Sequence, residues 1–263
     1  MLFDTHAHYD SSAFDADRDE VLSALPGAGV GLVLCPGCEL ASSRAAIALA
    51  DRYPFVYAAA GIHPEDALGL PDDWLDQVRA LTKHPKVKAV GEIGLDYYWK
   101  EVPRDLQREV FRAQLALAKE LDLPVIVHER AAHADCLAIV KEFPGVRGVF
   151  HCYSGSAEDA KTLVKLGWHL SFTGTITFKN ARKAPEVIAA VPMERLMVET
   201  DAPYMAPVPF RGKRCDSRYV YRMAETIAEI KGLTREEVAR ITTENGMRLF
   251  DIPANQAEFP GEI

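Results

Sequence analysis

Five of the eight histidines stand at the ends of short apolar runs: His6, His8, His63, His128 and His151. Strand ends would cover roughly a tenth of such a chain, so chance would put about one histidine there. His6 and His8 are two apart, and on an extended segment both rings leave the same side. Neighbouring imidazoles repel when protonated but together ligate a divalent metal when neutral. Two carboxylates occupy equivalent places, Glu92 in Gly91-Glu92-Ile93-Gly94-Leu95-Asp96 and Asp201 in Glu199-Thr200-Asp201. His6, His8, Glu92, His128, His151 and Asp201 are too many ligands for one zinc; they divide between two ions sharing a carboxylate. Glu92 is the candidate bridge. Asp201 is suited to ligate metal and to take a proton from an attacking water. Metal-dependent hydrolysis is the chemistry expected, with Glu92 and Asp201 as catalytic carboxylates.

Substrate-binding candidates lie beside these positions. Arg211, Lys213 and Arg214 sit in Phe210-Arg211-Gly212-Lys213-Arg214, directly after the last ligand segment. Cations on such a loop suit a phosphate clamp. His63 ends an apolar run and can hydrogen-bond a phosphate oxygen or the leaving group, or serve as a structural histidine. Tyr97-Tyr98-Trp99 follows Glu92 closely and offers rings for base stacking, or for ordinary packing. Cys35-Pro36-Gly37-Cys38 has a C-x-x-C spacing without a second such pair, and reads as a strand exit into a turn. His84, His133 and His169 are expected to be structural.

The elements that must bring these residues together repeat along the chain. Strands are expected at Leu2–His6, Gly31–Cys35, Phe55–Gly61, Val87–Ile93, Pro124–His128, Val146–His151, His169–Gly174 and Leu196–Thr200. Most are continuous in apolar or β-branched residues, as suits parallel strands buried on both faces. Helical patterns alternate with them: Arg18–Ala28, Leu40–Arg52, Asp72–Lys83, Pro103–Leu121, Ala131–Phe143, Ala157–Leu166 and Ala181–Val191. Two further helices follow, Tyr219–Lys231 and Thr234–Phe250, the second opened by the capping box Thr234-Arg235-Glu236-Glu237. Eight such repeats make a closed barrel or a doubly wound open sheet. No Gly-rich phosphate loop follows any strand, and reactive groups at strand ends favour an α/β fold of the (β/α)8 TIM-type barrel, with extra C-terminal helices. Residues 1–251 form that barrel and 252–263 a surface tail.

Of the 263 residues, 48% are hydrophobic and 26% charged, an ordinary globular balance. No apolar run approaches the roughly 20 residues a membrane span needs, and no signal-peptide pattern opens the chain, so a cytoplasmic protein is expected. The five cysteines are then reduced thiols, mostly buried. A net charge of −8 argues against coating nucleic acid by charge alone. It leaves room for an enzyme that holds one strand end.

The motif series resembles the TatD family of metal-dependent deoxyribonucleases, within the amidohydrolase-like barrels. The resemblance is carried by His6-Ala7-His8, Gly91–Asp96, His151-Cys152-Tyr153-Ser154-Gly155, Glu199-Thr200-Asp201-Ala202-Pro203-Tyr204, Ala206–Arg214 and the Asn245 segment, in order over almost the whole chain. It implies one metal on His6, His8, Glu92 and Asp201, a second on Glu92, His128 and His151, and phosphodiester hydrolysis in DNA, often from a 3′ end. Glu129 and Cys215 depart from the small or polar residues usual there, and Glu129 adds negative charge near the site. Two divalent ions are the implied cofactors: zinc or manganese suits the imidazoles, while magnesium is traditional for the family. The partner expected is DNA at single-stranded ends. Competing readings are a metal-dependent amidohydrolase or esterase, acting on a small molecule or an aminoacyl-tRNA, and a metal-free scaffold. Oligomeric state is not legible.

Overall fold

Buried apolar runs become eight parallel strands: β1 Leu2–Asp4, β2 Val30–Pro36, β3 Val56–Ala60, β4 Val87–Asp96, β5 Val125–Arg130, β6 Gly148–Phe150, β7 His169–Phe172 and β8 Leu196–Val198. The structure is a computed structural model and describes residues 1–253. Each strand pairs with the next in chain order. Backbone bonds join the last to the first: Thr5 N–H donates to Val198 O (3.3 Å), Asp201 N–H to His6 O (2.9 Å) and His8 N–H to Ala202 O (2.7 Å). Sequential order and this seam make a TIM-type barrel and exclude the open sheet. The seam runs through three of the candidate ligands.

The helices α1 Arg18–Ala24, α2 Leu40–Arg52, α3 Trp74–Leu81, α4 Arg104–Leu121, α5 His133–Glu142, α6 Ala157–Lys165 and α7 Lys183–Ala190 alternate with the strands; α8 Tyr221–Lys231 and α9 Arg235–Leu249 follow β8. The capping box forms as its sequence dictates. Thr234 Oγ1 accepts from Glu237 N–H (3.2 Å), and Glu237 Oε2 accepts from Thr234 N–H (2.8 Å). Such a cap contributes about 1 kcal/mol. A second core cluster joins Phe3, Leu32, Tyr57, Ile126 and Met197 of the strands to Leu249 at the end of α9 and to Phe250 and Ile252 beyond it. Gly246 permits that approach, since a Cβ there would lie 2.7 Å from the Phe3 ring. Asn245 ties α9 down by donating to Met193 O (2.7 Å) and Leu196 O (2.8 Å). Burying a side chain such as Phe250 contributes roughly 1.5–3 kcal/mol, so α9 is an integral plug.

Several expected boundaries shift. The helix expected over Arg18–Ala28 ends at Ala24 and gives way to a 3-10 turn at Pro26–Ala28, because Pro26 has no N–H to continue it. β4 runs three residues past the expected Ile93, to Asp96. Ile252, expected in the tail, is buried in the barrel plug. Residues 254–263 of that tail lie outside the described residues. No helix among the described residues is long and apolar enough to cross a membrane.

Candidate metal centre and substrate cavity

The extended segment after β1 brings His6 Nε2 and His8 Nε2 to 3.1 Å. Glu92 Oε2 lies 3.2 Å from the first and 3.5 Å from the second. Asp201 Oδ1 stands 3.7 and 3.5 Å from the same two nitrogens. Ligands held at about 2.0–2.1 Å on a tetrahedral ion are about 3.4 Å apart, so these four atoms fit one small divalent cation. The other Glu92 oxygen faces a different set: Oε1 is 3.0 Å from His128 Nδ1 and 2.8 Å from His151 Nε2, themselves 3.2 Å apart. One carboxylate thus offers an oxygen to each group.

The remaining ring nitrogens fix which atoms are lone pairs. His128 Nε2 lies 3.0 Å from Asp96 Oδ2, so its proton belongs there and Nδ1 is free to ligate. His151 Nδ1 stands 3.4 Å from Glu199 Oε1, an electrostatic contact rather than an aligned hydrogen bond. Glu199 is itself held by Cys152 N–H (2.6 Å) and by Ser171 Oγ–H. His63 behaves differently. Its Nδ1 accepts from Glu65 N–H (3.2 Å), which leaves the proton on Nε2, 3.7 Å from Glu92 Oε1. Donor atoms of His63, Glu92 and His128 also cluster, but a protonated Nε2 is a hydrogen-bond donor and not a ligand.

Charge and burial reinforce this arrangement. Burial alone would raise the Glu92 pKa, but His151 and His6, with hydrogen bonds from His128 and His151, hold it well below the usual carboxylate range. Burial also opposes ionisation of Asp201, and the His8 hydrogen bond with the His6 charge overcomes it. Buried anions of this kind require cations beside them, either protons on the rings or divalent ions. Burial and the nearby His128 push His63 down to about 3, so its ring is neutral.

Backbone features hold the strand ends in place. Gly94 has φ +142°, and a Cβ there would sit 2.0 Å from His128 O, so only glycine lets β4 and β5 approach closely enough for Glu92 to meet His128. Asp201 (φ 57°) and Cys152 (φ 44°) adopt left-handed conformations, each costing on the order of 1–2 kcal/mol. From α4, Gln107 accepts from Asp96 N–H (2.8 Å) and donates to Asp96 O (2.9 Å). Gln114, on the same helix face, grips Ile62 in the same way at 2.7 and 2.9 Å. These clamps position the strand ends carrying Asp96 and His63.

Above the ligand groups opens a cavity of about 1060 Å³, lined by Arg130, Arg182, Lys183, Trp99 and Tyr204 among others. The three cations make no ion pair among the described residues. Sequence reasoning singled out none of them, nor Asp96, Glu199 and Gln107; Asp96 and Glu199 carried a signal in lying four residues after Glu92 and two before Asp201. The three residues of the expected clamp are placed differently from one another. Arg214 pairs with Asp17 (2.5 and 2.7 Å) and donates to Ala13 O (2.7 Å), so its charge is committed to the fold. Arg211 stacks 4.4 Å over Phe178, whose ring lines the cavity, while Lys213 is exposed on the loop beyond. Of the aromatic triplet, Tyr97 is tied to Asp135 (2.6 Å), Tyr98 lies under Arg130 at 4.0 Å, and Trp99 lines the cavity.

The sequence and the barrel are similar to those of known proteins. A family model described as TatD related DNase matches residues 3–251. An uncharacterized metal-dependent hydrolase, YabD of Bacillus subtilis (strain 168), is 46% identical over 96% of this chain and 100% of its own length. A protein of Citrobacter rodentium (strain ICC168) named 3′-5′ ssDNA/RNA exonuclease TatD is 33% identical over 97% of this chain and 100% of its own. The crystal structure of YjjV, a TatD homolog from Escherichia coli K12, superposes with a TM-score of 0.90 at 35% identity, covering 96% of this chain and 98% of that one. The chain belongs to the TatD-related DNase family of metal-dependent hydrolases.

Proposed function

We propose that this hydrolase cleaves phosphodiester bonds in DNA, releasing nucleotides from the 3′ end of single strands. The observation that carries the reading is one cavity with two ligand groups at its floor and unpaired cations on its wall. His6, His8, Glu92 and Asp201 would hold one ion, and Glu92, His128 and His151 the other. When bound, such ions polarise a phosphoryl group and raise the acidity of water.

The chain's own residues supply the rest. Arg130, Arg182 and Lys183 neutralise the scissile phosphate and its neighbours. His63 Nε2–H donates to a phosphate oxygen. Asp201, ionised and open to the cavity, takes a proton as water attacks phosphorus and the bond to the leaving sugar oxygen breaks. The exonuclease named in Citrobacter rodentium supports a nucleic-acid substrate.

The test is a substrate comparison on metal-loaded enzyme, with zinc, manganese and magnesium in turn. An aryl phosphodiester and single-stranded oligonucleotides are expected to turn over, while lactones, anilides and aminoacyl esters are not. Turnover of the carbonyl substrates alone would overturn the proposal in favour of an amidohydrolase or esterase.

A further inference from the structure

Beside the metal cavity lies a second one of about 350 Å³, lined by Glu65, Trp99, Glu101, Val102 and Gln107. Glu65 and Trp99 line both cavities, so the two are contiguous across that pair. Trp99 is 45% exposed, unusual for so large an apolar ring. Arg130 lies 5.7 Å over it and 4.0 Å over Tyr98, which places a cation on the ridge between the cavities.

The polar groups of the smaller cavity are almost all of one kind. Gln107 is spent, its amide donating to Asp96 O and Val102 O and accepting from Asp96 N–H. Glu101 Oε2 accepts from Lys100 N–H, and the Glu65 carboxylate has no partner among the described residues. What lines the space is therefore an aromatic ring, the apolar Val102 and carboxylate acceptors. A phosphate is repelled there. A hard cation finds apolar carbon on two sides in place of a ring of oxygens. A flat heterocycle carrying N–H donors fits, stacked on Trp99 and held by a carboxylate.

We propose that this cavity is a nucleobase subsite selecting guanine, one nucleotide removed from the scissile phosphate. The inference rests on the phosphodiesterase reading above. Guanine presents two adjacent N–H donors, which a carboxylate accepts as a pair. Thymine presents one, flanked by carbonyl oxygens that the carboxylate repels. Arg130, on the ridge, meets the phosphate between the two nucleotides.

Two measurements on the metal-loaded enzyme test this. In the first, guanine or thymine is placed at each of the last few positions of otherwise identical single-stranded oligonucleotides. At one position guanine is expected to raise kcat/KM about tenfold over thymine, mainly through KM. Glu65→Gln, with one acceptor in place of two, is expected to bring the ratio close to one. In the second, guanosine and thymidine monophosphates are titrated while tryptophan fluorescence is followed. Guanosine monophosphate is expected to bind about tenfold more tightly, with quenching lost in Trp99→Phe. Equal rates at every position, equal binding, or an unaltered ratio in Glu65→Gln would overturn the subsite and leave the phosphodiesterase standing. Failure to cleave any oligonucleotide or aryl phosphodiester would instead remove that reading, and the fluorescence titration would still decide the cavity's preference.

Discussion

Asp96 Oδ2 lies 3.0 Å from His128 Nε2, so the strand that carries Glu92 also orients the imidazole on its neighbour. Asp96 is fully buried and fixed by Tyr98 N–H (2.9 Å) on its other oxygen. The pair forms a carboxylate–imidazole relay in which the His128 Nδ1 lone pair is turned toward Glu92. Asp96→Asn keeps the shape but weakens the acceptor and permits the wrong tautomer. Metal affinity is expected to fall about 10–100-fold, with little loss of stability. Competitive chelator titration measures it; an unchanged affinity would make Asp96 a mere turn former.

A pH effect on stability is expected from His169, which begins β7 away from the ligand groups. Burial first, then the charges of Arg195 and Arg248, lower its pKa to about 4. A base whose folded pKa is depressed favours the folded state fully above its unfolded value of 6.5. That contribution is lost as pH falls from 6.5 toward 4, because only the unfolded chain accepts the proton readily. The loss is of order 3 kcal/mol. His169→Gln should flatten the fall of the urea midpoint between those limits. A slope matching wild type would assign the acid sensitivity to other groups.

Phosphate contacts are expected from the cavity cations rather than from the whole 210–214 loop. Arg182→Ala and Lys183→Ala should each lower the dependence of log KM on log salt by about 0.7 for a single-stranded substrate. Arg211→Ala, one ring removed from the cavity, should lower it less. Arg214→Ala should leave the slope intact and cost up to about 1 kcal/mol of stability, since it pairs with Asp17. A slope lowered as much by Arg214→Ala would return the clamp to that loop.

These contrasts follow what the sequence could and could not reveal. The convergence of His6, His8, Glu92, His128, His151 and Asp201 was legible because a barrel puts reactive groups at strand ends, and strands announce themselves as apolar runs. The repeat of strand and helix gave the fold for the same reason. Arg182 and Lys183 were not legible, since nothing local says that the start of α7 faces the barrel mouth. Gln107 and Gln114 look like polar positions on a surface helix, yet both are buried and grip backbone. Asp96 was hidden by a boundary: ending β4 at Ile93 leaves it in a loop, whereas it pairs in register with Arg130, two residues past His128 on β5.

The depth of the site sets how a strand reaches it. His6 is fully buried and Glu92 is 2% exposed, so under the proposed function a scissile phosphate must descend to the cavity floor. The end of α9 and the residues after it plug the barrel beneath that floor, so among the described residues the cavity is reached from the barrel mouth. A strand end can enter such a space with its last nucleotide leading, whereas an internal phosphate must bring chain down and back up past the same rim. A duplex is wider and stiffer still, and a protein of net charge −8 offers a long polyanion little compensation away from the mouth. Release of mononucleotides from single-stranded ends is therefore expected, with duplex DNA degraded slowly from frayed termini. A single-stranded circle isolates the point, because it offers the same phosphodiesters without an end. The circle is expected to survive while its linearised form is consumed. Nicking of the circle at the linear rate would sink the end-directed mode and leave the metal-dependent hydrolase intact.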